Sequence, residues 1–148
     1  MTETKLYFED VEVGDEVETP GQTVTETDLV RYVGLTGEWD ERFTDAEPTR
    51  GSAGVVRDVP DLLILCISSG LTWRAPRPPL ATLALTGFEW QFLHPLRVGD
   101  TIRNRCRAVA KRSLKDNGLV VEEREVVNQR NELVQLGRIT FLVEKRRR

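Results

Sequence analysis

The sequence predicts an α+β fold, with one long buried helix wrapped by a curved antiparallel sheet. Two observations carry this. Val59 and Leu62–Ile67 are apolar nearly all round a helical turn, as a helix buried on most sides requires. From Leu80 onward the apolar period switches to two, and about four strand-like runs follow, joined by turn signals. A helix ahead of an antiparallel meander is the α+β order, and it needs a curved sheet to wrap it. The 148 residues suit one domain over 1–148 and can bury a useful core.

Tyr7-Phe8-Glu9-Asp10-Val11-Glu12-Val13-Gly14-Asp15 opens as an extended entry, and Gly14-Asp15 turns into a short strand through Val17. Thr25 is the candidate N-cap of a first helix, with Asp28 completing a capping-box-like pair. Leu29, Val30 and Val33 then recur at helical spacing, which predicts a helix over 26–35, ended by Gly34 and Gly37. Residues 38–56 read as irregular, punctuated by Pro48, Gly51, Ser52 and Gly54. Asp58 is the expected N-cap of the second helix. Pro60 falls in its first turn, where a missing N–H costs nothing. Gly70 ends or thins this helix, Trp73 closes the segment, and Pro76, Pro78 and Pro79 force a loop.

In the first long strand, Thr82, Ala84, Thr86, Phe88, Trp90 and Phe92 form one heavily aromatic face. Val98-Gly99-Asp100 turns into a strand over 101–111, where Ile102, Cys106, Ala108 and Ala110 oppose Arg103, Arg105 and Arg107. Asp116-Asn117-Gly118 is the strongest hairpin signal. Runs over 119–127 and 133–144, joined by a turn at 128–131, complete the set.

Hydrophobic content of 39% and charged content of 30% are ordinary for a globular chain, and a net charge of −3 gives no reason to expect nucleic acid. The basic tail Lys145-Arg146-Arg147-Arg148 reads as a solvated terminus, or as a contact to a phosphate. No apolar run approaches the ~20 residues that span a bilayer. The Met1-Thr2-Glu3 start lacks the pattern of a secretory signal, so a cytoplasmic protein without membrane contact is expected. Cys66 and Cys106 read as two reduced core thiols. His94 is the sole histidine, so no Cys/His cluster suggests a metal site, and no cofactor is expected.

The segment Thr36-Gly37-Glu38-Trp39-Asp40-Glu41-Arg42-Phe43-Thr44-Asp45-Ala46-Glu47 resembles the active-site segment of MaoC-like hydratases, a hotdog-fold family acting on acyl thioesters. The family pattern runs roughly Ser/Thr-Gly-Asp-x-Asn-Pro-Ile/Leu-His-x-Asp-x-Glu/Asp. Thr36 and Gly37 match its start, and Asp45 and Glu47 match its end. Glu38 stands where the family has its catalytic Asp. Asp40 replaces the Asn, Glu41 the Pro, and Phe43 the catalytic His. Phe92–Ile102 also resembles the family's strand-turn-strand with its Gly-Asp turn, and the entry segment resembles the family's start.

The resemblance implies a single hotdog domain handling an acyl-CoA, a carrier-protein thioester or a related metabolite. In active members an Asp and a His hold a water near an enoyl thioester, and backbone N–H groups at the start of the buried helix polarise the carbonyl. Hydration or dehydration is the implied reaction, with Glu38, Asp40 and Asp61 as candidate catalytic residues. Two of the neighbouring acids Glu38, Asp40 and Glu41 sharing a pocket would provide an acid beside a base; otherwise they form a solvated loop. Pro60 and Asp61 fall where the family has its His-Gly pair, so Asp61 is either a dipole-stabilising helix-start residue or a new acid or base. Candidate substrate-binding residues are Phe43, Arg57, Trp73 and Trp90. Core packing is the competing reading for Phe43 and the two tryptophans, and surface charge for Arg57. Arg50 flanks the same loop.

Three functions follow: a hydro-lyase or drifted lyase/cyclase, a non-catalytic acyl-binding or partner subunit of a heteromeric hydratase, and a hotdog thioesterase. A single curved sheet leaves an edge and an apolar face that a chain this short hardly covers. A homodimer is therefore expected, or a heteromer with a related hotdog chain. Glu38 and Asp40 would lie near the partner, and the strand around Trp90 would contribute to packing.

Overall fold

The period-two runs fold into one antiparallel sheet. The computed structural model describes residues 4–44 and 57–146. Its strands are β1 (Glu16–Glu18), β2 (Gln22–Thr23), β3 (Thr82–Phe92), β4 (Thr101–Ser113), β5 (Asn117–Asn128) and β6 (Leu133–Glu144). The spatial order is β1-β4-β5-β6-β3, with β2 also pairing with β4, so β3 pairs with β6 and forms an edge. The hairpin signal holds, since Gly118 pairs with Ser113 where β4 meets β5. Gly118 is needed there for space, because a Cβ would lie 2.0 Å from the Phe8 ring.

Alternation gives the sheet two unlike faces. On one face, charges of opposite sign oppose each other across five strands: Glu16, Arg107, Glu123, Arg138 and Glu89. Three of these neighbours form ion pairs, at 3.6 Å for Glu16–Arg107, 3.3 Å for Arg107–Glu123 and 2.9 Å for Glu123–Arg138. The other face buries Ile102, Val120, Val126, Val134 and Val143. A register shift between Ala108 and Ala110 breaks the expected alternation in β4, so Ala110 is exposed rather than facing the core.

Helix α1 (Glu26–Thr36) starts with the expected capping box. The Thr25 hydroxyl accepts from Asp28 N at 3.3 Å, and the Asp28 carboxylate accepts from Thr25 N at 2.9 Å. Gly34 does not end the helix. Gly37 does, at φ 71°, with its N–H donating to the Val33 carbonyl, because a left-handed residue stops the helix and glycine adopts it at no steric cost. The irregular reading of the next segment also needs correction, since Glu41–Thr44 forms the single turn α2.

Helix α3 (Asp61–Leu71) begins two residues later than expected. Pro60 is the N-cap, extended at ψ 134°, and its carbonyl accepts from Leu63 N and Ile64 N at 3.0 and 3.2 Å. Asp58 does not cap it, because that residue forms a sheet-like bridge to Arg97. Polar bonds hold α3 to the sheet. Asn104 Nδ2 donates to the Ser68 carbonyl at 2.7 Å, and Gln135 Nε2 donates to the Asp61 carbonyl at 2.9 Å.

Two core expectations fail on α3. The helix turns Leu63, Ile64, Ser68 and Leu71 inward, but Leu62 and Cys66 stay exposed. Trp73, in the following 3-10 turn, is 76% exposed. Positions 62, 66, 69 and 73 form one stripe at helical spacing, so the chain covers only half of a helix that is apolar all round. Cys66 is therefore no core thiol. Cys106 is, and burial pushes its thiol up to about 12. Among the described residues, no helix is long and apolar enough to cross a membrane.

Candidate active site

The αL turn at Gly37 carries the chain out of α1 so that Glu38 folds back against it. Thr36 Oγ1 donates to the Tyr32 carbonyl at 2.8 Å and accepts from Glu38 N at 3.2 Å. Tyr32, on the buried side of α1, donates its hydroxyl to Glu38 Oε2 at 2.6 Å. Burial first, then the Glu38 bond and charge, push the Tyr32 hydroxyl up to about 12. Tyr32 therefore keeps its proton and offers Glu38 a fixed, charge-assisted donor.

Asp40 points elsewhere. Its carboxylate accepts from Arg42 N and Nε at 2.9 and 3.0 Å and from Arg42 Nη2 at 2.9 Å. Its carbonyl accepts from Phe43 N and Thr44 N, so Asp40 caps α2. The Arg42 guanidinium holds the Asp40 carboxyl below its ordinary value. Arg42 also lies over the Phe43 ring, 5.3 Å from its centroid, and Phe43 packs in the core.

Asp61 occupies the first position of α3. A relay fixes this helix start: Trp90 Nε1 donates to Gln135 Oε1 at 2.9 Å, and Gln135 Nε2 donates to the Asp61 carbonyl. Trp90 lies flat on the sheet, because its pairing partner is Gly137, where a Cβ would come within 1.9 Å of the indole. The Asp61 carboxyl is raised above its ordinary value. Desolvation in the cleft is the main cause; Arg42 acts against it and the Glu38 charge adds to it. The Asp61 and Leu62 N–H groups have no backbone acceptor among the described residues, as at any helix start.

These residues line a cleft of about 380 Å³, walled by Glu38, Arg42, Phe43, Val59, Asp61, Leu62, Phe92 and Pro95. Of the residues singled out from the sequence, Glu38, Phe43 and Asp61 meet there. The second carboxylate beside Glu38 is thus Asp61, while Asp40 and Glu41 belong to α2. Arg57 pairs with Glu26 at 3.2 Å, and Trp73 stands at the far end of α3. Trp90 reaches the cleft only through Gln135. Asp45, Glu47 and Arg50 lie outside the described residues.

Sequence reasoning missed Tyr32 and Arg42. The one polar tip on the buried set Leu29, Tyr32, Val33 was a usable signal for the first. The opposite charges of Asp40 and Arg42, two residues apart, were a usable signal for the second. Chemically, the cleft offers a carboxylate with a fixed hydroxyl donor, a carboxyl group biased toward its protonated form, and two N–H groups at a positive helix end that have no acceptor among the described residues.

The model of the FAS1-like dehydratase domain region matches residues 11–136. Protein MaoC of Klebsiella aerogenes is 31% identical over 108 residues, which are 72% of this chain and 32% of that protein. The chain thus spans about a third of that relative's length. A monoamine oxidase regulatory protein from Archaeoglobus fulgidus superposes with a TM-score of 0.84 at 28% identity, over 97% of each chain. A Mycobacterium tuberculosis protein with a double hotdog fold superposes with a TM-score of 0.82 at 18% identity, over 96% of this chain and 45% of that one.

Proposed function

We propose a function from the premise that this chain belongs to the MaoC-like hotdog family: it adds water to an enoyl thioester, or removes water from a 3-hydroxyacyl thioester. The observation that carries this reading is the shared cleft of Glu38 and Asp61, with one held by Tyr32 and the other raised. The dehydratase-region match supports the reaction class. In the hydration direction, Glu38 takes a proton from water as its oxygen bonds to Cβ. Protonated Asp61 gives a proton to Cα, and solvent restores both groups. The N–H groups of the first turn of α3 bind the thioester oxygen as enolate charge grows. The apolar Phe43, Leu62 and Phe92 hold the acyl chain beside them. An acyl-CoA and a carrier-protein thioester both fit this chemistry.

The test is hydration of crotonyl pantetheine, followed by loss of enoyl absorbance. Glu38→Gln and Asp61→Asn each slow it by ~10²-fold or more, the scale of one positioned acid or base. Asp40→Asn has the smaller effect. Hydration that neither cleft substitution alters would overturn these roles.

A second reading rests on Phe43, a core residue that transfers no proton where the family has its His. On that reading the chain is an acyl-binding subunit for a catalytically complete hotdog partner. Turnover by the isolated chain rejects it.

We also propose a homodimer in the cytoplasm, with a related hotdog chain as the alternative partner. Leu83, Leu85, Phe88, Phe92 and Leu93 stand exposed along the β3 edge, beside the open stripe of α3. The double hotdog relative supports the pairing by carrying two such units in one chain. Sedimentation that gives a folded monomer at micromolar concentration would count against the homodimer.

A further inference from the structure

The Asp40 carboxylate takes three bonds from one residue. Oδ1 accepts from Arg42 N and Nε at 2.9 and 3.0 Å, and Oδ2 accepts from Arg42 Nη2 at 2.9 Å. Capping α2 needs only one side-chain oxygen, which an Asn would also supply. The second oxygen and the charge serve the guanidinium, which is gripped as a fork that fixes its orientation. The Phe43 ring, set in the core, supports it from another side, with its centroid 5.3 Å away. The Arg42 and Asp40 side chains are 67% and 37% exposed, so the pair adds little to stability. What it decides is where one positive charge sits on the cleft wall.

That wall also carries Asp61. Among the described residues, the charged groups acting on Asp61 are Arg42 from α2 and Glu38 from the turn after α1. Asp58, just ahead of the helix, is paired with Arg97 at 3.9 Å. Gln135 reaches Asp61 from the sheet without charge, and Phe43, Val59, Leu62, Phe92 and Pro95 bring none. A cation in contact with a carboxyl group strongly favours its ionised form. Within the described residues, Arg42 makes its ion pair with Asp40 and not with Asp61.

We propose that Asp40 is a positioning residue that acts through Arg42: it turns the guanidinium away from Asp61 and so leaves Asp61 able to hold the proton that the cleft donates. The use of that proton rests on the proposed hydration; the latch itself does not. Asp40 is not part of the cleft wall. The Asp61 carboxyl stays raised although Arg42 opposes it, as a withheld cation requires. Without the Asp40 charge, the guanidinium is drawn to the acids that share its wall, Glu38 and Asp61, and Asp61 loses its proton at lower pH.

Titration of the Asp61 carboxyl by carboxyl-carbon NMR in the full chain, assigned with Asp61→Asn, tests the latch without turnover. Failure of hydration and failure of the latch are therefore separate results. Asp40→Asn keeps the capping oxygen and removes the charge. Its Asp61 midpoint is expected to fall, with a loss of about tenfold in proton affinity, the low end of what a cation in contact does. Arg42→Gln moves the midpoint the other way. Asp40→Asn added to Arg42→Gln changes nothing further, because Asp40 has no cation left to hold. An Asp61 midpoint that stays or rises in Asp40→Asn overturns the proposal. So does an equal fall when Asp40→Asn is added to Arg42→Gln, since Asp40 would then act without Arg42.

Discussion

At the N-terminal end of α3, two carboxyl groups share a cleft; at the C-terminal end, unlike charges interlock. Both ends obey the helix dipole, with Asp61 at the positive end and Arg77 and Arg124 at the negative end. The dipole alone explains only the signs. At the C-terminal end Glu122 is gripped by two guanidinium groups at 2.6 and 2.7 Å. At the N-terminal end the available cation, Arg42, is held by Asp40, and the carboxyl of Asp61 is raised. One end has been neutralised as far as its residues allow. The other has been left biased toward proton transfer, as active sites commonly are.

The largest effect is expected at the interlocked end. Arg124→Leu leaves Glu122 buried with Arg77 alone, and breaking such a pair costs about 3–5 kcal/mol in urea unfolding. The double variant Arg124→Leu/Glu122→Leu recovers most of that loss. A double variant as unstable as the single one would show that the ion pair is not what matters there.

An intermediate effect separates the two ends. Gly137→Ala drives a Cβ into the Trp90 indole, an overpacking worth about 1–3 kcal/mol. It also disturbs the Trp90–Gln135–Asp61 relay, so it lowers the hydration rate of the folded chain, whereas Arg124→Leu at the other end lowers stability and leaves that rate. Equal losses at both ends would break the distinction.

The smallest effect is a gain. A raised Asp61 carboxyl contributes stability that is present below its ordinary value of 3.8 and lost as pH rises through its value in the fold. Asp61→Asn is therefore slightly more stable than the wild type at neutral pH, and the gap closes in acid. Thermal melts across pH read this directly. A variant less stable at neutral pH would mean that Asp61 serves the helix dipole and is not strained.

Local signals in the sequence translated well. The capping box at Thr25 and Asp28 and the bounds of β6 stand as read, and the hairpin signalled by Asp116-Asn117-Gly118 forms with its turn at 114–116. What failed was non-local. The apolar run in α3 implied burial on all sides, but a pattern does not say whose surface covers it, so Cys66 and Trp73 were misplaced. The bulge at Ala108–Ala110 left no mark in composition. In the site, acids adjacent in sequence looked like the natural pair. The real neighbours are 38 and 61, which meet only where the end of α1 and the start of α3 close on one core and one cleft. Glu122 and Arg124 were readable, since period two puts both on the face of Val120 and Val126, and charge at such positions marks an inward polar cluster.

The central claim is that Glu38 and Asp61 divide the roles of base and acid. The pH dependence of kcat/KM for crotonyl pantetheine tests it most directly, measured for the wild type and for Asp61→Asn. The account predicts a bell for the wild type, with its alkaline limb set by loss of the Asp61 proton. In Asp61→Asn the rate falls by ~10² or more and that limb disappears. An Asp61→Asn profile that keeps the wild-type height and the same alkaline limb would contradict it.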